Sequence, residues 1–327
     1  MRKQSILVLI MLIFFPVASW AQSDKTVTVR MGVASKDSAF VAGFIAQEAG
    51  IAKKYGLNIE FVVIVPPTIP AALMAGDLHF AGPAQTVSRS GVQGLPVATV
   101  AIMMDRPNYV LLVDKSIRTV DELRDKTIVT GAPTSGPGAV LVFLLEDLGF
   151  NPGRDVKILF IGETSSRRAM LYQRQAQAGL INLDVAFKMQ RKDPNLYPLV
   201  FPSKMPRVPF AGLGVSRKFL NEKPEIVERM IRANLEANQF IATKPEASQA
   251  FFAKLFELTA AESRQLWELL APAVVADGLI GDDLLKILVA QDAKILKRPD
   301  LTLAQVRAAY DFRITEKVAR EMGLLRR

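Results

Sequence analysis

The sequence predicts an α/β protein: two successive units of parallel strands joined by helical crossovers, followed by a helical C-terminal region. Three observations carry this. Strand-like and helix-like segments alternate from Val27 to Met104, the alternation restarts at Tyr109 and runs to Ile181, and no strand pattern appears from Arg217 onward. A chain of 327 residues, 50% hydrophobic and 22% charged, is globular and has room for two domains.

The first unit opens with Val27 to Val33, alternating apolar and polar residues as a strand does. Ala39 to Tyr55 reads as one helix with Phe40, Phe44, Ile45, Ala49 and Ala52 near one stripe, stopped by Gly56. Leu57 to Val65 is a mostly apolar strand ended by Pro66 and Pro67. Ile69 to Ala75 is a short helix closed by Gly76, Leu78 to Ala81 a strand, Thr86 to Gly91 a helix and Val97 to Met104 a strand.

In the second unit Tyr109 to Val113 is a strand, and Thr119 to Glu122 has the form of a capping box opening a short helix. Thr127 to Thr130 is a strand. Gly136, Pro137 and Gly138 lead into the apolar helix Ala139 to Leu148, which Gly149 stops. Val156 to Ile161, Ser166 to Gln173 and Ala176 to Ile181 complete a strand–helix–strand unit. A faint repeat relates Ala71–Ala81 to Ala169–Gly179, 98 residues apart, each a short helix feeding a strand. Beyond Arg217, Pro224 to Ala242, Pro245 to Phe256, Ala260 to Leu270 and Asp282 to Leu296 read as helices too apolar for a linker, with Thr259 to Glu262 a second capping box.

Ahead of all this, Arg2 and Lys3 precede an unbroken apolar run of 10 residues, Ile6 to Phe15, and Ala18 to Ala21 supplies small residues after Pro16. This predicts a signal peptide, residues 1–21, cleaved after Ala21, and a periplasmic mature protein. The run is too short to span about 30 Å of hydrocarbon, and no Cys follows it for a lipid anchor. The net charge of +9 falls to +7 without Arg2 and Lys3, and the basic residues are scattered. A solvated basic surface explains this; an anionic small molecule is the functional alternative, and nucleic acid is not expected.

The absence of Cys excludes disulfides, thiolate metal sites and Cys nucleophiles, and a single His leaves no His-based metal cluster and no ready general base. No G-x-S-x-G elbow occurs. We therefore expect no catalytic residues, no metal and no cofactor.

In open parallel α/β sheets, ligands bind beyond the carboxyl ends of the strands, near helix N-termini. The candidate ligand-binding residues are then Ser35, Lys36, Ser38 and Phe40 after the first strand, Pro66 and Thr68 after the second, and Pro83 and Ala84 after the third. Thr134, Ser135, Gly136, Gly138 and Thr164 follow strands of the second unit, and the repeat adds Asn182. Arg106 follows a strand near the junction of the units. Thr134 to Gly138 offers hydroxyls and free N–H groups at a helix start, which suits an anion; the same residues also make an ordinary turn. Ser38 is also a plausible N-cap. Arg106 and Asn108 either reach an anion or cap the edge between the units. Phe40, Tyr109 and Phe187 either stack on a planar ligand or belong to the core. Arg167 and Arg168 open a helix, where positive charge opposes the helix dipole, and so either meet an anion or lie on the surface. His79 and Trp267 read as structural.

Four stretches carry a family resemblance: Ala46 to Ile59, Ala71 to Asp77, Asp121 to Ile128 and Asp277 to Ile280. Their order and spacing resemble the periplasmic solute-binding proteins of ABC importers, in the branch with nitrate-, taurine-, alkanesulfonate- and thiamine-pyrimidine-precursor-binding members. The resemblance runs from about Val29 to Leu324. It implies a two-lobed, type II periplasmic-binding fold, each lobe a mostly parallel sheet flanked by helices, with the helical C-terminal region packed on lobe 1. Lobe 1 would be residues 25–112 and 212–327, and lobe 2 residues 113–211, with crossings near Val110 to Val113 and Phe210 to Gly214. Ligand would sit in the cleft and be captured by hinge closure. The implied partners are a small-molecule ligand and a membrane permease with its cytoplasmic ATPase, with the protein itself a monomer. The implied ligand is a small anion such as a sulfonate, nitrate or carboxylate. The alternatives are a thiamine pyrimidine precursor or other heteroaromatic, or service as a soluble receptor for a membrane sensor. The chain departs from the family pattern at His79 and Gln177, where Asp is usual, and at Asp125 and Arg174, where Gly is usual. A eukaryotic relative makes a pyrimidine by self-consuming chemistry with a Cys-rich motif and a reactive His; the lack of Cys argues against that here.

Overall fold

The computed structural model describes residues 26–325; the expected signal peptide, residues 1–21, lies outside the described residues. Ten strands form two five-stranded sheets. The first contains β1 (Val27–Val33), β2 (Leu57–Val63), β3 (Phe80–Pro83), β4 (Val97–Met104) and β10 (Ala211–Ser216), in the order β2-β1-β3-β10-β4. The second contains β5 (Tyr109–Asp114), β6 (Thr127–Thr130), β7 (Lys157–Phe160), β8 (Ala178–Asn182) and β9 (Leu196–Val200), in the order β7-β6-β8-β5-β9.

The two sheets share one plan. Three adjacent strands run parallel, then a single antiparallel strand, β10 or β5, is inserted before the last one. That strand is the one the chain lays down when it passes between the sheets, once after β4 and once after β9. Parallel pairing demands helical crossovers, so the parallel strands β1, β2, β3, β6, β7 and β8 each lead into a helical segment at their carboxyl ends. The internal repeat falls on equivalent strands. Met31 pairs with Phe80 in the first sheet as Ile128 pairs with Ala178 in the second.

The helices of the first unit are α1 (Val41–Glu48), α2 (Ile51–Lys54), α3 (Ile69–Ala75) and α4 (Ala84–Val92). Those of the second are α5 (Gly136–Asp147), α6 (Thr164–Tyr172) and α7 (Leu183–Lys192). The C-terminal region contributes α8 (Arg217–Glu222), α9 (Pro224–Thr243), α10 (Pro245–Phe256), α11 (Ala260–Leu270), α12 (Asp282–Ile295), α13 (Leu303–Arg307) and α14 (Arg313–Glu321). It is fastened to the first sheet through hydrogen bonds as well as apolar packing. Asn238 Nδ2 donates to the carbonyls of Met103 (3.0 Å) and Val275 (2.9 Å), and the Thr315 hydroxyl donates to Val100. Trp267 is half-buried, with Nε1 donating to Ile241 at 2.7 Å. His79 Nδ1 accepts from the backbone N–H of Arg30 at 2.9 Å, a structural role beside β3.

Several elements differ from expectation. The helix expected over Ala39 to Tyr55 is a 3-10 turn (Ser38–Phe40) followed by α1 and α2, because Gly50 adopts φ 74° and breaks the run. The Thr119 box yields only a 3-10 turn at Asp121–Leu123; Glu122 reaches back to the N–H groups of Arg118 and Thr119, but Thr119 caps nothing. Pro198 masked β9, an edge strand where a missing N–H is tolerated. The glycines of β10 masked it in turn, and packing explains one of them: a Cβ on Gly212 would lie 2.2 Å from the Ala101 carbonyl oxygen.

Asp125 and Arg174, the two departures from glycine in the family pattern, both stand in the left-handed region, at φ 64° and 57°. Arg174 is anchored there by ion pairs to Asp114 (2.9 Å) and Asp193 (2.7 Å). Asp125 is exposed and keeps only its backbone bond to Asp155. Asp125→Gly is expected to stabilise the protein by about 0.5–1 kcal/mol, since glycine enters this region without a Cβ clash. Urea denaturation of the two proteins measures this.

Candidate functional site

The carboxyl edges of the two sheets face each other across a narrow cleft. From the first sheet it receives Ser35, Asp37 and Phe40 after β1, Pro66 and Pro67 after β2, and Pro83, Gln85 and Thr86 at the start of α4. From the second it receives Ser135 and Gly136 at the start of α5, Thr164 and Arg167 at the start of α6, and Asn182 ahead of α7. Tyr109 and Phe210, one on each crossing segment, form a wall with ring centroids 5.0 Å apart at 80°.

A buried polar network forms the floor and joins the two halves. Asp37 Oδ1 accepts from Asn182 Nδ2 (2.9 Å) and from the N–H of Ala39 (3.0 Å), while its Oδ2 accepts from the Ser35 hydroxyl. Reciprocally, Asp184 accepts from the N–H (3.2 Å) and hydroxyl of Ser38. Asn108 donates to the Ser38 oxygen at 2.5 Å. Burial, and then the negative charge of Asp184, push the Asp37 carboxyl up to about 7. Burial likewise raises Asp184.

Arg167 is the cleft's buried cation, 5% exposed. Its Nη1 donates to the carbonyls of Ile161 (2.8 Å) and Gly162 (3.0 Å) and its Nη2 to the Thr164 hydroxyl (2.8 Å). Its Nε has no partner, and among the described residues no carboxylate forms an ion pair with it. Burial lowers its proton affinity. The helices α4, α5, α6 and α7 all start at the cleft without a side-chain N-cap bond, so their first-turn N–H groups add positive potential. Gln85 and Thr86 also leave polar side-chain atoms unpartnered.

Of the residues named from sequence, Ser35, Phe40, Pro66, Pro83, Ser135, Gly136, Thr164 and Asn182 line this cleft. Seven do not. Lys36, Thr68 and Arg106 point to solvent, and Thr68 Oγ1 is turned back onto Val65. Thr134 is exposed and offers only its carbonyl, to Arg89 Nη1 at 2.9 Å. Ser38 lies beneath the floor in the network, Ala84 is in a separate apolar cluster, and Gly138 packs against the Ala132 carbonyl, which a Cβ would approach to 2.0 Å. Phe187 belongs to the core. Asp37, Gln85, Thr86, Tyr109, Arg167 and Phe210 also line it. Arg167 had its signal in the misplaced charge at a helix start; Asp37 and Gln85 lay in the flagged loops with nothing to single them out.

The Asp37 shift carries a pH dependence. The folded protein holds a proton up to about pH 7, which the unfolded chain releases near 3.8. The resulting stability is fully present below that lower value and is lost as pH rises through about 7. Asp184, raised in the same direction, adds to it, while the charges of Arg167 and Lys188 oppose it. The melting temperature is expected to fall between pH 5 and 8 by an amount on the order of a few kcal/mol of stability. Asp37→Asn keeps the acceptor for Asn182 and should remove most of that slope in thermal melts across the range.

No curated protein sequence matches this chain. Among solved structures, the alkanesulfonate-binding protein SsuA from Xanthomonas axonopodis pv. citri superposes with a TM-score of 0.70 at 17% identity, covering 87% of this chain and 98% of its own. The periplasmic nitrate-binding protein NrtA from Synechocystis PCC 6803 gives 0.69 at 13% identity, covering 91% and 89%. The desulfurization enzyme DSZB gives 0.60 at 13% identity, covering 90% and 99%. These similarities establish the periplasmic-binding-protein fold. The sequence profile described as NMT1/THI5 like matches residues 37–248, from the floor carboxyl Asp37 into α10, and the chain belongs to the NMT1/THI5-like family.

Proposed function

We propose that the protein is the extracytoplasmic solute-binding component of an ABC-type importer. It captures a small organic acid between two hinged lobes and presents the closed form to a membrane permease. The observation that carries the acid is Arg167. A buried guanidinium without a carboxylate is costly, and its carbonyl partners satisfy N–H groups without balancing charge. An anion on the free Nε, with four helix starts around it, supplies that balance. The family membership and the sulfonate- and nitrate-binding neighbours agree with this reading. The aromatic and proline walls favour an acid with an apolar or planar body over a bare inorganic ion.

Binding without turnover is the better reading of the same groups. The single imidazole, His79, is held in the first sheet's backbone, outside the cleft lining. Both oxygens of Asp37 are engaged by structural donors. Lobe closure agrees with the floor network, whose hydrogen bonds run from one lobe to the other.

Calorimetric titration with carboxylates and sulfonates of differing body size tests the proposal. The reading predicts saturable binding of acids and weak or no binding of their neutral esters. Arg167→Gln is expected to weaken acid binding by about 2–5 kcal/mol, roughly thirtyfold or more, with the fold intact by circular dichroism. Undiminished affinity in that variant would remove Arg167 from the site.

A further inference from the structure

We infer that the ligand is bifunctional: an acid whose far end carries an adjacent hydrogen-bond donor and acceptor, as a carboxamide, ureido or ring-lactam group does, and that Gln85 reads that end. This rests on the proposed acid-binding role of the cleft. It starts from Gln85, which lines the cleft, is 2% exposed, and has no partner for either Nε2 or Oε1. The less buried Gln47 and Gln177 satisfy both ends: Gln47 with Asn58 and Ile59, Gln177 with Thr127 and Arg174. A buried amide with both ends idle is a destabilising arrangement unless something completes it. The conclusion is the same whichever end is oxygen, because both are unpaired.

The surroundings of Gln85 define what completes it. The missing Cβ of Gly136 would stand 3.3 Å from Gln85 Oε1 and 3.8 Å from the Tyr109 hydroxyl, so Gln85 faces the second half of the cleft across a strip kept open by glycine. A carboxylate, sulfonate or nitrate only accepts hydrogen bonds and leaves the amide oxygen unpaired. An amide-like edge donates to that oxygen and accepts from the neighbouring nitrogen, pairing both. Arg167 stands on α6 beyond the second sheet, and Gln85 on α4 beyond the first. A ligand with an acid at one end and an amide at the other therefore engages both halves, whereas a plain acid engages one charge and leaves Gln85 idle.

The test is a matched panel titrated by calorimetry into the purified protein: 4-carbamoylbenzoate, 4-acetylbenzoate, which only accepts, and 4-methylbenzoate, which does neither, with succinamate and pentanoate as an aliphatic pair. The amide-bearing acids are expected to bind at least about tenfold tighter than their partners, a difference of ~1.4 kcal/mol. Gln85→Met should abolish that preference and raise the melting temperature of the ligand-free protein by removing the idle amide. Gly136→Ala, whose methyl group would crowd Gln85 Oε1 while leaving the amide chemically unchanged, should weaken the amide-bearing acids more than 4-methylbenzoate. Equal affinities within each pair, or a Gln85→Met protein that loses all acids alike or melts lower, would overturn the inference while leaving the acid reading in place. Failure of every acid to bind would overturn both.

Discussion

The architecture of the site depends on two buried carboxyls that trade hydrogen bonds across the cleft. Asp37, at the end of the first strand, is held by Asn182 from beyond β8; Asp184, two residues past Asn182, is held by Ser38, next to Asp37. Neither has a Lys or Arg ion-pair partner among the described residues, so hydrogen bonds and protonation must offset their desolvation. The strand registers fix both ends of the exchange. Asn182 is opposite Tyr109 in the β5–β8 ladder, which ties the floor to a crossing segment. A polar floor also suits the proposed opening of the cleft. Its hydrogen bonds exchange for bonds to water at a small net cost, whereas an equal apolar contact would oppose opening in proportion to its area.

Above this floor the electrostatics are biased one way. Four helix starts surround the cleft, and Arg167 adds a full charge where the helix dipole already disfavours one. The chain contains its own control for how such a cation is normally treated. Arg89 is equally buried, but its Nε meets Asp292 at 2.8 Å. One guanidinium has an ion-pair partner within the protein and the other does not, and the one without lines the cleft. Local choices that conflict with stability concentrate where a ligand resolves them, and the idle amide of Gln85 and hydroxyl of Thr86 sit in the same cleft.

Much of the scaffold was legible in the sequence because its signals are local. Periodicity and breakers placed β6, α10 and α11 at their observed bounds, and the faint repeat found equivalent strands in the two sheets. The residue pattern did not show the inserted strand β10, which is buried along its whole length and holds glycine where neighbouring backbone crowds it; only the family resemblance placed a crossing there. The strand-end rule directed attention to the right loops, but a loop's sequence does not say which side chains turn inward. Ser38 and Ser135 look alike as helix-start serines, yet one lies under the floor and the other lines the cleft. Arg167 announced itself by violating a helix-charge preference. Gln85 violated nothing in sequence, and its idle amide becomes visible only when its neighbours are in place.

The C-terminal helices bear on the cleft more directly than their distance in sequence suggests. Arg89 follows Gln85 by one turn of α4, so the two side chains lie on neighbouring parts of one helix face. Its Nε is neutralised by Asp292 of α12, and its Nη1 donates to the carbonyl of Thr134, the residue before Ser135 and Gly136. The helix that presents Gln85 is thus fastened on one side to the C-terminal region and on the other to the loop that opens α5. Lys294, two residues beyond Asp292, pairs with Glu146 of α5 and repeats the connection at the surface. Without Asp292, Arg89 would be a second buried guanidinium lacking an ion-pair partner. The C-terminal region therefore does more than cover the first sheet: it neutralises a buried charge on the helix that carries Gln85 into the cleft.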